Sequence, residues 1–274
     1  MPELPEVETI ARALRQGGRG GPSLLGKQIA SADLLWSRTL ASPRLRSPDE
    51  IGERLAGQTV ETIDRRGKFL RMGLRRDTLL FHLRMSGDLL VEPANLPPAA
   101  HHRFLLGFSD GLRLAFNDPR KFGRIWLTDE PEGVLSGLGP EPLDPGLDPG
   151  QFWALLQSRQ RQLKPLLLDQ GFLAGLGNIY TDEALNRAAI HPLRLSHSLS
   201  PVEAERLLAA IREVLQAGIE RQGSSIDWVY RGGDFQNYFR VYGRKGQPCP
   251  RCGTPVARIL VGQRSTHFCP NCQV

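Results

Sequence analysis

The chain has 274 residues, 35 basic against 29 acidic, a formal charge of +6 and a pI near 9.4. That length suffices for two domains with real cores, and no apolar run reaches membrane-spanning length. The basic surplus is compatible with a nucleic-acid partner, and acids rather than lysines open the chain, so a cytosolic protein without a secretory signal is expected.

Met1-Pro2-Glu3-Leu4-Pro5-Glu6 comes first. A small second residue permits removal of Met1, which leaves Pro2 with a free secondary amine of pKa about 7.7–8.0. A secondary amine that attacks a sugar at C1′ stays a cationic iminium, a strong electron sink. Glu3 could hand protons to the leaving base or the opening sugar. Glu6, one helical turn on, would favour the helix dipole and could hold the ammonium or the ribose. The same residues also suit the plain start of a helix.

Val7, Ile10, Ala11 and Leu14 recur at helical spacing, and Gly17-Gly18 ends the pattern, so a helix is expected from Pro5 to Gln16. From Gln28 to Leu127 short runs punctuated by Gly, Asp and Pro predict strands. These are Thr59–Asp64, Phe69–Leu74, Thr78–Leu83, Phe104–Phe108, Leu112–Phe116 and Arg124–Leu127, with a hairpin turn at Ser109-Asp110-Gly111. Strands at this spacing suggest a β-sandwich. Residues 136–150 are rich in Gly and Pro and read as an extended linker. Helices are then expected at Phe152–Ser158, Leu163–Asp169, Tyr180–Ala189 and Val202–Glu220. Ser200-Pro201-Val202-Glu203 combines an N-cap, a first-turn proline and a capping-box glutamate. Gly175-Leu176-Gly177-Asn178 precedes a helix N-terminus, where backbone and the Asn178 amide could meet a phosphate; Lys164 would join that clamp.

All four cysteines fall in the last 26 residues. Cys249-x-x-Cys252 and Cys269-x-x-Cys272 enclose sixteen residues, the spacing of a four-thiolate zinc site rather than of scattered disulfides. Between them Ala257–Val261 and Thr266–Phe268 read as a ribbon with Gly262-Gln263-Arg264-Ser265 at its tip. Arg258 and Arg264, with His267 near, make that tip basic and suited to phosphate.

These segments occur in one order with Arg65-Arg66-Gly67-Lys68-Phe69-Leu70, His82-Leu83-Arg84-Met85-Ser86-Gly87, Asp118-Pro119-Arg120-Lys121-Phe122-Gly123 and Val241-Tyr242-Gly243-Arg244. From Pro2 to Cys272 the chain resembles the bacterial formamidopyrimidine-DNA glycosylase family, also called 8-oxoguanine DNA glycosylases. The opening PELPE separates it from the related endonuclease VIII branch. The resemblance implies an α+β fold and DNA held between two lobes. The expected domains are 1–135, the catalytic helix and β-sandwich; 136–150, the linker; 151–238, a helix–two-turn–helix domain; and 239–274, a zinc-finger hairpin.

The resemblance also implies roles. Pro2 is the nucleophile and Glu3 its acid–base partner, with Glu6 nearby. Met85, Arg120 and Phe122 fill the hole left by an extruded nucleotide, Arg120 pairing with the orphaned cytosine. Lys68 reaches the lesion phosphate or base. Arg264 binds flanking phosphates and donates a proton in δ-elimination. His101, Arg159, Lys164 and Asn178 contact DNA. Cys249, Cys252, Cys269 and Cys272 hold one structural Zn²⁺, since the iminium already supplies the electron sink. The expected partner is damaged double-stranded DNA, met by a monomer at the cytoplasmic nucleoid, with no membrane involved. The expected reaction is excision of oxidised purines followed by β- and δ-elimination. An endonuclease VIII-like preference for oxidised pyrimidines, or a non-catalytic zinc-ribbon DNA binder, are the alternatives. The match departs at Arg84, where glycine is common, and at Arg103, where a histidine is common. It also departs in the Ser224–Tyr238 segment, which corresponds to the loop covering the extruded base.

Overall fold

The computed structural model describes residues 1–42, 50–225 and 232–274, which form two compact units. The first comprises Met1–Pro2, Glu6–Ser136, Ser225 and Gly232; the second comprises Glu3–Pro5, Gly137–Ser224 and Gly233–Val274. The fold is α+β with antiparallel sheets throughout.

Helix α1, Leu4–Gln16, begins one residue before the expected start. Its Val7, Ile10, Ala11 and Leu14 are buried, as their spacing requires. The first unit then builds two four-stranded sheets. One has the order β1 (Ile29–Leu34), β6 (His102–Phe108), β7 (Leu112–Asn117), β5 (Asp88–Pro93). The other has β2 (Val60–Arg66), β3 (Phe69–Leu74), β4 (Thr78–His82), β8 (Arg124–Thr128). One core cluster draws residues from both sheets, from α1 and from α2 (Glu50–Leu55), which makes the pair a sandwich. Alternation holds where one face is covered: Leu70, Met72 and Leu74 of β3 are buried while their neighbours are not.

Strands β1 and β5 and helix α2 lie outside the sequence expectation. Both strands are sheet edges. In β1 Ser31 and Asp33 sit among small alanines, and in β5 Leu89-Leu90-Val91 run together between Asp88 and Glu92, so the alternation that reveals a half-buried strand is weak in them. Three turns explain sharp reversals. Gly67-Lys68 joins β2 to β3 with φ +57° at Gly67 alone, a primed hairpin turn that presents Lys68 at its tip. Gly111, at φ +84°, closes the three-residue turn between β6 and β7 at the expected place. Arg84 has φ +53°, which explains why glycine suits that position.

The second unit is helical: α4 (Pro149–Gln157), α5 (Leu163–Leu168), α6 (Asn178–Arg187) and α7 (Pro201–Glu220), after a short α3 (Glu132–Leu135) that closes the first unit. Ser200 and Glu203 form the expected capping box of α7, and Asp148 with Gln151 forms another on α4. The Gly/Pro-rich stretch is therefore pinned rather than free-running. Its end starts α4, and the Arg212 guanidinium donates to the carbonyls of Pro142, Asp144 and Leu147 at 2.7, 3.1 and 2.6 Å. The chain closes on the ribbon β9 (Ala257–Val261) and β10 (Arg264–Phe268). No helix among the described residues is long and apolar enough to cross a membrane.

Candidate functional site

In the second unit the Gly175-Leu176-Gly177 turn receives the start of the chain. The backbone N–H of Leu4 donates to the Gly175 carbonyl at 3.1 Å. The Glu3 carboxylate, nearly fully buried, accepts from the backbone N–H of Gly177 at 2.7 Å and Ile179 at 2.9 Å, with Tyr180 N–H at 3.4 Å. These are the orphan donors of the α6 N-terminus, whose dipole favours an anion. A Cβ at Gly177 would lie 2.3 Å from the Glu3 carboxyl carbon, so only glycine admits the contact.

That helix end is thus filled by the protein's own carboxylate. Lys164 is fully buried, ion-paired with Asp182 and donating to the Asn178 carbonyl at 3.1 Å. Burial lowers its pKa and Asp182 opposes that.

Helix α6 also carries the ribbon. Asn178, Asp182 and Asn186, at i, i+4 and i+8, all turn the same way. Asn178 Nδ2 donates to the Ser265 carbonyl at 3.0 Å. Asp182 accepts from His267 N–H at 2.9 Å, with His267 Nδ1 3.2 Å away. Asn186 Nδ2 donates to Gln273 Oε1 at 2.9 Å. Next to this row, the Glu183 carboxylate accepts from the backbone N–H of Arg240, Val241 and Tyr242 at 2.8–3.0 Å. Burial pushes its carboxyl up while those bonds pull it down. Tyr242 is half-buried within electrostatic reach of Glu3, Asp182 and Arg264; burial raises its phenol.

The ribbon's tip is narrower than expected. Gly262 and Gln263 alone turn the chain, both with positive φ, and Arg264 and Ser265 already belong to β10. Arg264 is exposed, and so is Arg258, which donates to the Ser265 hydroxyl at 2.7 Å. His267 faces inward, buried against Asp182, and is not part of a basic tip. Arg159 is exposed just after α4.

The four cysteine Sγ atoms lie within 4.8 Å of one another, Cys252 and Cys269 at 3.5 Å. A tetrahedral zinc with Zn–S of about 2.3 Å needs sulfurs about 3.8 Å apart, so the donor set fits that ion. The crowding is electrostatic too. Hydrogen bonds, first from the Thr254 side chain, pull Cys252 down to about 5, while Cys252 in turn drives Cys272 up to about 12. Four thiolates this close require a dication between them.

In the first unit Pro2 is buried behind an exposed Met1, and Glu6 is buried in the first turn of α1. Lys68 is buried at its hairpin tip. His82 adjoins it, half-buried and edge-on to Phe69 at 4.7 Å. Burial first, then the charges of Arg84 and Lys68, lower His82 to about 3. Its Nδ1 accepts from the Arg84 N–H at 3.1 Å. Met85 is half-buried; Phe122 is 48% exposed, with the exposed Arg120 guanidinium 5.1 Å over its ring. Lys121 Nζ sits 4.1 Å over the Trp36 ring. His101 is exposed. Arg103 is buried and donates to the carbonyls of Asp118 at 2.8 Å and Ala100 at 3.2 Å, so the residue that departs from the common histidine clamps a loop. Of the Ser224–Tyr238 segment, residues 226–231 lie outside the described residues.

Comparison with known proteins agrees with this geometry. Residues 1–125 match the formamidopyrimidine-DNA glycosylase N-terminal domain, 138–229 its H2TH domain, and 246–274 a zinc finger found in FPG and IleRS. The formamidopyrimidine-DNA glycosylase of Chloroflexus aurantiacus is 47% identical, covering 100% of this chain and 98% of its own. The Lactococcus lactis Fpg (MutM), solved with DNA containing Fapy-dG, superposes at TM-score 0.89 with 36% identity over 99% of each chain. A MutM complex with DNA containing carbocyclic 8-oxo-G superposes at 0.88, again 36% identical, over 100% of each. The chain belongs to the formamidopyrimidine-DNA glycosylase family.

Two consequences are testable. Gly177→Ala should unseat Glu3, costing about 1–3 kcal/mol of stability by overpacking, and should slow base excision while affinity for undamaged duplex holds. Thermal melting and single-turnover assays read both. For His82, the unfolded chain takes a proton near pH 6.5, the folded one only near 3. Between those values the unfolded state binds more protons, so stability falls as pH falls. From about pH 7 to 5 this one group accounts for at most about 2 kcal/mol. His82→Asn keeps an acceptor for Arg84 and should lose that component in urea titrations at the two pH values.

Proposed function

We propose that this DNA glycosylase excises oxidised purines from duplex DNA with Pro2 as nucleophile and then cleaves the strand as a lyase. The observation that carries the reading is Glu3, fixed at the α6 N-terminus by backbone donors and adjoining Pro2 in the chain. Once Met1 is removed, the Pro2 nitrogen has a lone pair and attacks C1′. The bond from C1′ to the base breaks, and Glu3 passes a proton to the departing base or ring oxygen. The resulting iminium acidifies C2′–H; its loss expels the 3′ phosphate, and a second elimination, with Arg264 as proton donor, expels the 5′ phosphate. One nucleotide is removed.

Extrusion of the damaged nucleotide costs a few kcal/mol, and bending the duplex of order 1–6 kcal/mol more. Met85, Arg120 and Phe122 fill the vacated stack, a thioether and a ring wedging while a guanidinium hydrogen-bonds the orphaned base. Lys68, His101, Arg159 and Arg264 meet phosphates, and Asn178 offers the second hydrogen of its amide. Lys164 acts indirectly by holding Asp182. One zinc, bound by the four cysteines, keeps the ribbon folded so that Arg264 is presented. Glu6 supports the Pro2 ammonium.

Borohydride trapping on a duplex containing 8-oxoguanine should give a covalent adduct that disappears in a Pro2→Gly variant that retains Met1. An adduct of equal yield in that variant sinks the nucleophile assignment. Chelation of zinc should abolish duplex binding in filter or fluorescence assays while the first unit stays folded; unchanged affinity would remove the ribbon from the DNA contacts.

A further inference from the structure

The two motifs assigned to the wedge are separate in sequence but form one hydrogen-bonded body. Asp118 is fully buried. One oxygen of its carboxylate accepts from the Ser86 hydroxyl, the other from the Gly123 N–H at 2.7 Å. The Ser86 oxygen in turn accepts from the Arg120 N–H at 3.2 Å. The Asp118 carbonyl accepts from the Arg103 Nε at 2.8 Å and the Lys121 N–H at 3.3 Å.

Both loops also rest on one ring. A Cβ at Gly87 would come within 2.8 Å of Phe116, and a Cβ at Gly123 within 2.3 Å. Each wedge residue adjoins a member of this body. Met85 precedes Ser86, Arg120 donates to Ser86, and Phe122 precedes Gly123. A buried carboxylate stripped of a donor is strongly destabilised, so neither loop can shift while the other stays.

We propose that Asp118 and Ser86 are positioning residues that lock the 84–87 and 118–123 loops into one rigid wedge. Met85, Arg120 and Phe122 then enter the base stack together rather than in turn. This rests on the wedge reading given above. Ordering two loops is completed at folding, so it is not charged against each opening of the helix.

A double-mutant cycle tests it on the full zinc-loaded chain. Met85→Ala, Phe122→Ala and their combination are made with Ser86 and again with Ser86→Ala. The readouts are the single-turnover excision rate for 8-oxoguanine, the fluorescence of 2-aminopurine beside the lesion, and thermal melting. Ser86→Ala alone should slow excision about three- to tenfold, the range for one lost hydrogen bond. With Ser86 present, the Met85/Phe122 double variant should be no slower than the worse single one. With Ser86→Ala, the two effects should multiply. Asp118→Asn, where it folds, should behave like Ser86→Ala. Identical coupling in both backgrounds overturns the clasp while leaving the wedge. If neither Met85→Ala nor Phe122→Ala slows excision or dims the opening signal, the wedge reading falls, and this inference with it.

Discussion

Glu3 accepts three backbone N–H groups where α6 begins, and much of the second unit is arranged so that it can. Gly177 has no Cβ because the carboxylate needs that space, and Gly175 takes φ +109° to let Leu4 pack beside it. The helix end is an anion site by its own dipole. An external phosphate would have to compete with a carboxylate tethered by its own chain, at far higher effective concentration. The consequence is that the residue next to Pro2 is held by backbone N–H groups of the α6 N-terminus.

The same economy recurs at three other buried carboxylates. Asp182 holds Lys164 and His267, Glu183 holds three consecutive backbone amides, and Asp118 holds Ser86 and Gly123. Each uses a carboxylate with two or more acceptor sites to join segments far apart in sequence. Such groups cost desolvation, and they are retained only when every oxygen is satisfied. What they return is registration: the ribbon carrying Arg264 is fixed to α6 at four-residue intervals, and the wedge loops are fixed to each other.

This pattern also explains what sequence could and could not reveal. The α1 stripe, strands β3, β4, β7 and β8, the capping box at Ser200 and the four-cysteine spacing are local signals, and each was legible. The edge strands β1 and β5 were not, because neither shows a clean alternation of large apolar and polar residues. Nor was the polar row Asn178, Asp182, Asn186, since one face of a helix rich in Asn and Asp reads as solvent-facing. Asp182 and Asn186 are buried and Asn178 partly so because the zinc module arrives from 85–87 residues away to cover them.

Arg103 shows how a departure from a common pattern can be absorbed. A histidine there has one ring nitrogen to donate when neutral, whereas a guanidinium has a planar fork of donors. Arg103 spends that fork on carbonyl oxygens of Ala100 and Asp118, which flank one end of the β6–β7 pair, where the Asp118 N–H donates to the His101 carbonyl. The substitution therefore adds a second hold on Asp118, through its carbonyl, beside the one its carboxylate already makes. It leaves His101 exposed at the surface and tightens the loop from which Arg120 and Phe122 project.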